Sequence, residues 1–144
     1  MKLFAYAKIY GNSSFPTLTG IANFFKDNFS GIWIEIEVKG LPDGDFPDNS
    51  NFFGLHIHEL GNCSIPFDKT GAHYNPSNNP HPYHAGDLPP LLGNSGYAFL
   101  LVYTNRLTPE AVIDRSIIIH RSPDDFTSQP SGNAGDKIGC GVIK

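Results

Sequence analysis

Cysteine is scarce in this chain of 144 residues, with only two copies, so no dense disulfide framework can substitute for a hydrophobic core. Charge is scarce as well. Asp, Glu, Lys and Arg together make 17% of the residues, below the ~25% usual for soluble domains. Ten basic residues against 14 acidic ones leave a net charge of −4, which argues against a broad basic face and a nucleic-acid partner. No apolar run approaches the ~20 residues of a membrane-spanning helix, so no membrane partner is expected. Residues 1–20 lack the long apolar stretch of an export signal. The expected setting is therefore either cytoplasmic or that of an exported mature form. A convincing helical period is also missing throughout.

Turn formers and aromatics are plentiful: Gly 15, Pro 12, and 12% aromatic residues. That aromatic content is too high for a disordered segment, and the length suits one domain over 1–144. Alternation is the dominant local pattern. Ile32, Ile34, Ile36 and Val38 fall on one side, with Trp33, Glu35 and Glu37 on the other, the period of a strand with one buried face. Leu3, Ala5, Ala7 and Ile9 suggest a second such face. Further strands are expected over 19–25, 53–59, 97–103, 116–120 and 137–143, and a short helical turn over 108–114 with Thr108 as cap and Pro109 in the first position. Short strands with frequent turns point to an all-β sandwich or barrel. One connection, residues 61–96, carries no clear strand and is long for a compact domain, the mark of a functional or disordered loop.

There are six histidines, five of them within 29 positions. His56 and His58 stand two apart, so on a strand they share a face, about 6.5 Å apart at Cα, and can converge on one ion. An isolated His-x-His is more often an exposed pair. Downstream come His73, His81, His84 and Asp87, three imidazoles and a carboxylate that would complete a closed tetrahedral zinc set. Alone, the same loop could be a polar surface segment. His120 ends a run of three isoleucines and on its own reads as structural or exposed; Cys63 and Cys140 could each be a buried free thiol.

Taken jointly, the segments Gly54-Leu55-His56-Ile57-His58-Glu59, Gly71-Ala72-His73-Tyr74-Asn75-Pro76, His84-Ala85-Gly86-Asp87-Leu88-Pro89, Ile119-His120, and Gly132-Asn133-Ala134-Gly135 leading to Cys140-Gly141-Val142-Ile143-Lys144 resemble the copper/zinc superoxide dismutase family, in its bacterial form. Five motifs in the right order are specific where each alone is weak.

The resemblance implies a Greek-key β-sandwich or flattened barrel of about eight antiparallel strands with long metal-binding loops. It implies two metals, copper on His56, His58, His73 and His120, and zinc on His73, His81, His84 and Asp87. His73 would bridge them and supply a proton to the reaction. Asp124 would link a copper ligand to a zinc ligand, and Cys63 and Cys140 would form a disulfide. The implied substrate is the superoxide anion, converted to oxygen and hydrogen peroxide; a homodimer and a monomer both remain open. The chain departs from the family where an anion-guiding arginine is usual: that position holds Lys137, which keeps the charge but loses the planar fork of donors. Only two residues separate His81 from His84, so the zinc segment is short. A non-catalytic copper/zinc protein of the same fold, storing or carrying copper, is the competing reading; loss of a copper ligand would favour it, and none is lost.

Overall fold

A computed structural model describes residues 1–44 and 50–144. The described residues form nine strands: β1 (Lys2–Gly11), β2 (Thr19–Lys26), β3 (Ile32–Lys39), β4 (Phe52–Phe53), β5 (Leu55–His58), β6 (Leu91–Leu92), β7 (Ala98–Thr104), β8 (Ser116–His120) and β9 (Lys137–Val142). Seven make one antiparallel sheet in the order β5-β8-β9-β1-β2-β3-β7, and β4 pairs with β6 in a short ribbon. The order places β7 beside β3 and β5 beside β8, so long connections cross between paired strands that are not consecutive in sequence.

Alternation translates directly into burial in β3, where Ile32, Ile34, Ile36 and Val38 are fully buried. They pack with Ala7 and Ile9 of β1, Ala22 and Phe24 of β2, and Ile117 and Ile119 of β8 in one core. In β1 the expected face is broken at its start. A register shift between Leu3 and Ala5 flips Leu3 outward, leaving it 51% exposed, as an extra residue in a period-two strand must. The strand expected over 53–59 divides at Gly54 into β4 and β5, which belong to different sheets. The helical turn forms at α1 (Pro109–Val112), with the Thr108 side chain accepting from the Ala111 N–H.

The long connection expected to lack strands contains β6 and a 3-10 turn at Asp68–Thr70. More consequentially, it lies along the outer edge of β5. Tyr74 N–H donates to the Ile57 carbonyl, Ile57 N–H to the Gly86 carbonyl, and Gly86 N–H to the Tyr74 carbonyl. Isolated bridges pair His58 with His73 and His56 with Asp87. The edge strand's free backbone groups thus find partners in the loop, as buried backbone must. A Cβ on Gly86 would overlap the Ile57 carbonyl oxygen, so only glycine permits this approach.

Candidate metal centre

All four residues of β5 are buried. Leu55 and Ile57 enter the apolar core, while His56 and His58 face the loop. From β8, His120 joins them through an irregularity: the pairing with β9 shifts between Ile119 and His120, setting His120 opposite Lys137. The loop then brings His73, His81, His84 and Asp87 across from β5. All six histidines are buried. His56, His58, His73 and His120 each offer a nitrogen within 4.8 Å of the others, and His56, His73, His81 and Asp87 form a second such group. His84 lies outside that second grouping, yet its Nδ1 is 3.2 Å from His73 Nδ1 and 3.2 Å from Asp87 Oδ2.

Second nitrogens decide which atoms are free to act as donors. His58 Nδ1 donates to the Gly71 carbonyl at 2.9 Å and His120 Nδ1 to the Gly135 carbonyl at 3.1 Å. Each ring therefore presents an unprotonated Nε2, and these two atoms are 3.3 Å apart. Two lone pairs facing each other at that distance repel unless a proton or a cation stands between them. His56 Nε2 donates to Asp124 Oδ2 at 2.8 Å, which leaves its Nδ1 bare. That atom and His73 Nε2 are buried without a hydrogen-bond partner. Four bare imidazole nitrogens are a donor set for copper, since imidazole suits that metal and neutral histidine is the form that binds.

The second set fits zinc. His73 Nδ1 lies 2.8 Å from Asp87 Oδ1, and His81 Nδ1 3.1 Å from Asp87 Oδ2. His81 gives its other proton, on Nε2, to Asp124 Oδ1 at 2.8 Å. Three imidazoles and one carboxylate make the closed four-ligand arrangement of structural zinc. Asp124 therefore touches one member of each set, His56 and His81, with its two oxygens, the outer-shell arrangement that fixes ring orientation.

Protonation follows burial. Desolvation lowers His56 to about 4, His58 to about 2 and His120 to about 3, and it lowers His84 as well. These rings are neutral and ready to bind at neutral pH. Burial pushes the Asp124 carboxyl upward, but hydrogen bonds from His56, His81 and the Phe126 N–H outweigh it and hold the group well below the usual range. Burial also opposes ionisation of Asp87, and the His73 hydrogen bond with the neighbouring imidazoles overrides it.

The copper set opens on a channel of about 510 Å³ lined by His58, His73, His120 and Lys137. Lys137 Nζ donates to Thr70 Oγ1 at 2.8 Å and lies 3.4 Å from both the Phe67 and Gly71 carbonyls. Burial pulls its ammonium below the usual lysine value, with Asp68 opposing. Cys63 and Cys140 are joined in a disulfide, their Cα atoms 5.7 Å apart. The six histidines, Asp87 and Asp124 thus come together in one cluster, with Lys137 on the wall of its channel. Sequence reasoning missed Thr70, Gln129 and Arg106, whose contacts lie 22 to 67 positions away in the chain and leave no local pattern to read. The Gly71 and Gly135 carbonyls were equally hidden, because any residue has one.

Comparison with known proteins agrees with this geometry. Residues 18–143 match the family model described as "Copper/zinc superoxide dismutase (SODC)". A "Superoxide dismutase [Cu-Zn]" of Deinococcus radiodurans is 37% identical over 149 residues, covering 88% of this chain and 78% of its own. "Superoxide dismutase [Cu-Zn] 1" of Aquifex aeolicus is 36% identical, covering 87% and 79%. Among solved structures, a double mutant of a SOD-like protein from Bacillus subtilis superposes with a TM-score of 0.82 at 28% identity, over 94% of both chains.

Proposed function

The chain belongs to the copper/zinc superoxide dismutase family, and from that premise we propose that it converts two superoxide anions and two protons into oxygen and hydrogen peroxide. His56, His58, His73 and His120 would hold copper; His73, His81, His84 and Asp87 would hold zinc. Copper bound there supplies one-electron exchange between adjacent oxidation states, which zinc cannot.

The observation that carries the reading is His73. Its Nδ1 faces Asp87 and His84 in one donor set, while its buried Nε2 has no partner and points to the other. A single ring thus belongs to both sites, and its Nε2 is the atom that can hold a proton for the second superoxide. His58 and His120 are kept in one tautomer by the Gly71 and Gly135 carbonyls. Asp124 aims His56 and His81 through their far nitrogens. Lys137 places a positive charge at the channel wall and attracts the anion locally, against a net charge of −4 for the whole chain.

Reconstitution with copper and zinc followed by a superoxide-decay assay tests this directly. The expected outcome is catalytic decay with a four-nitrogen Cu(II) resonance. The same resonance in an inactive protein would instead support a copper-storing or copper-carrying member of the fold.

A further inference from the structure

Two residues separate His81 from His84, and the turn they form is gripped from outside at both ends. At its start, the Gln129 side chain accepts from the His81 N–H at 2.9 Å and donates to the His81 carbonyl at 2.8 Å. At its end stands Arg106, which follows β7 and is followed in turn by the fully buried Leu107. Arg106 Nη1 donates to the Pro82 carbonyl at 2.7 Å and to the His84 carbonyl at 3.3 Å, and its guanidinium lies 6.0 Å from the centre of the Tyr83 ring. Tyr83 itself is 60% exposed, so the middle of the turn has little burial to hold it.

We propose that Arg106 is a positioning residue for zinc: its guanidinium clamps the Pro82 and His84 carbonyls and so fixes the His84 ring over Asp87. The inference rests on the zinc assignment above. Its physical basis is that one nitrogen, Nη1, directs its two hydrogens at both carbonyls from the rigid plane of the guanidinium. The His84 backbone is held on one side by the Arg106 bond to its carbonyl and on the other by its own N–H, which donates to Asp87 Oδ2 at 2.9 Å. With both ends of that peptide fixed, Nδ1 has little freedom. Removing the clamp leaves that end of the turn to weaker ties, the Asp87 N–H on the same His84 carbonyl at 3.2 Å, the Asn79 amide on the Tyr83 carbonyl at 3.3 Å and the His84 N–H on Asp87.

The test is zinc competition against a chelator in wild type, R106A and R106K, with Co(II) substituted at the zinc site as a spectroscopic probe. R106A is expected to bind Zn(II) about 10-fold more weakly or worse, in the range found for residues that orient metal ligands. Its Co(II) visible bands should shift, while copper affinity of the zinc-free protein stays as in wild type. R106K keeps one charged nitrogen with hydrogens for both carbonyls but carries it on a flexible stem without the rigid plane, and should fall between the two. Because the Arg106 side chain is exposed, R106A should fold; if circular dichroism shows otherwise, R106K carries the same comparison. Wild-type zinc affinity and wild-type Co(II) bands in the folded variant would overturn the proposal alone. Failure of wild type to bind zinc would overturn the zinc assignment and the proposal with it.

Discussion

An ammonium has three hydrogens, and around Lys137 three protein oxygens compete for them: Thr70 Oγ1 and the Phe67 and Gly71 carbonyls. What Lys137 offers an incoming anion is charge more than a free N–H. A guanidinium has five donors, so an arginine there could satisfy the same oxygens and keep N–H groups to spare. Lys137→Arg is therefore expected to raise kcat/KM several-fold at low ionic strength, with the gain shrinking as salt is added; no gain in dilute buffer would count against the idea that lysine here holds activity below that of an arginine version. The buried imidazoles make a second residue-scale prediction. Folded His56, His58 and His120 titrate near 4, 2 and 3, below the ordinary 6.5. In the metal-free protein the unfolded chain then binds more protons as pH falls through 6.5, so stability present above that pH is lost progressively toward pH 4 and below. Urea midpoints of the metal-free protein between pH 7 and pH 4 should show the decline. At this scale histidine and cysteine were readable because few other residue types serve those chemistries. Which nitrogen of each ring is bare was not, since it depends on a carbonyl 13 or 15 positions away.

Among the elements, the segment after β8 shows how closely a loop must fit. Gly132 has φ +70, and a Cβ there would overlap Asp124 Oδ1 and come within 2.6 Å of His81 Nε2. Gly132→Ala is expected to break the Asp124–His81 bond and weaken zinc binding about 10-fold or more, measured by the same chelator competition. Equal affinity would mean that the loop yields and that Asp124 is held by something other than this packing. Period-two alternation made β3 legible, because a half-buried strand writes its two faces into sequence, whereas β8 is buried at all five positions and carries no such pattern. It failed at Leu3, where the register shift is set by pairing with β2, and at β6, two residues in a proline-rich stretch whose strand character comes only from Phe52 and Phe53 opposite. The loop's attachment to β5 was hidden for the same reason: backbone pairing across the chain leaves no trace in side-chain type.

For the molecule as a whole, the disulfide spans 77 positions and ties the segment around Cys63 to β9. Closing a loop of that length is worth about 4–5 kcal/mol in the chain-entropy model. Cys63→Ser should lower the thermal midpoint accordingly, by calorimetry of the metal-free protein. The same covalent tie has a functional reach. Cys140 lies three positions from Lys137 on one strand, and the tethered segment runs on into Phe67, Thr70 and Gly71, the three oxygens around that ammonium. One end of the bridge thus lies on the strand that carries the cation, and the other on the segment that supplies its cradle. Cutting it would loosen both before the sheet itself gives way, so the ionic-strength dependence of turnover should flatten at reductant concentrations that leave the fold intact.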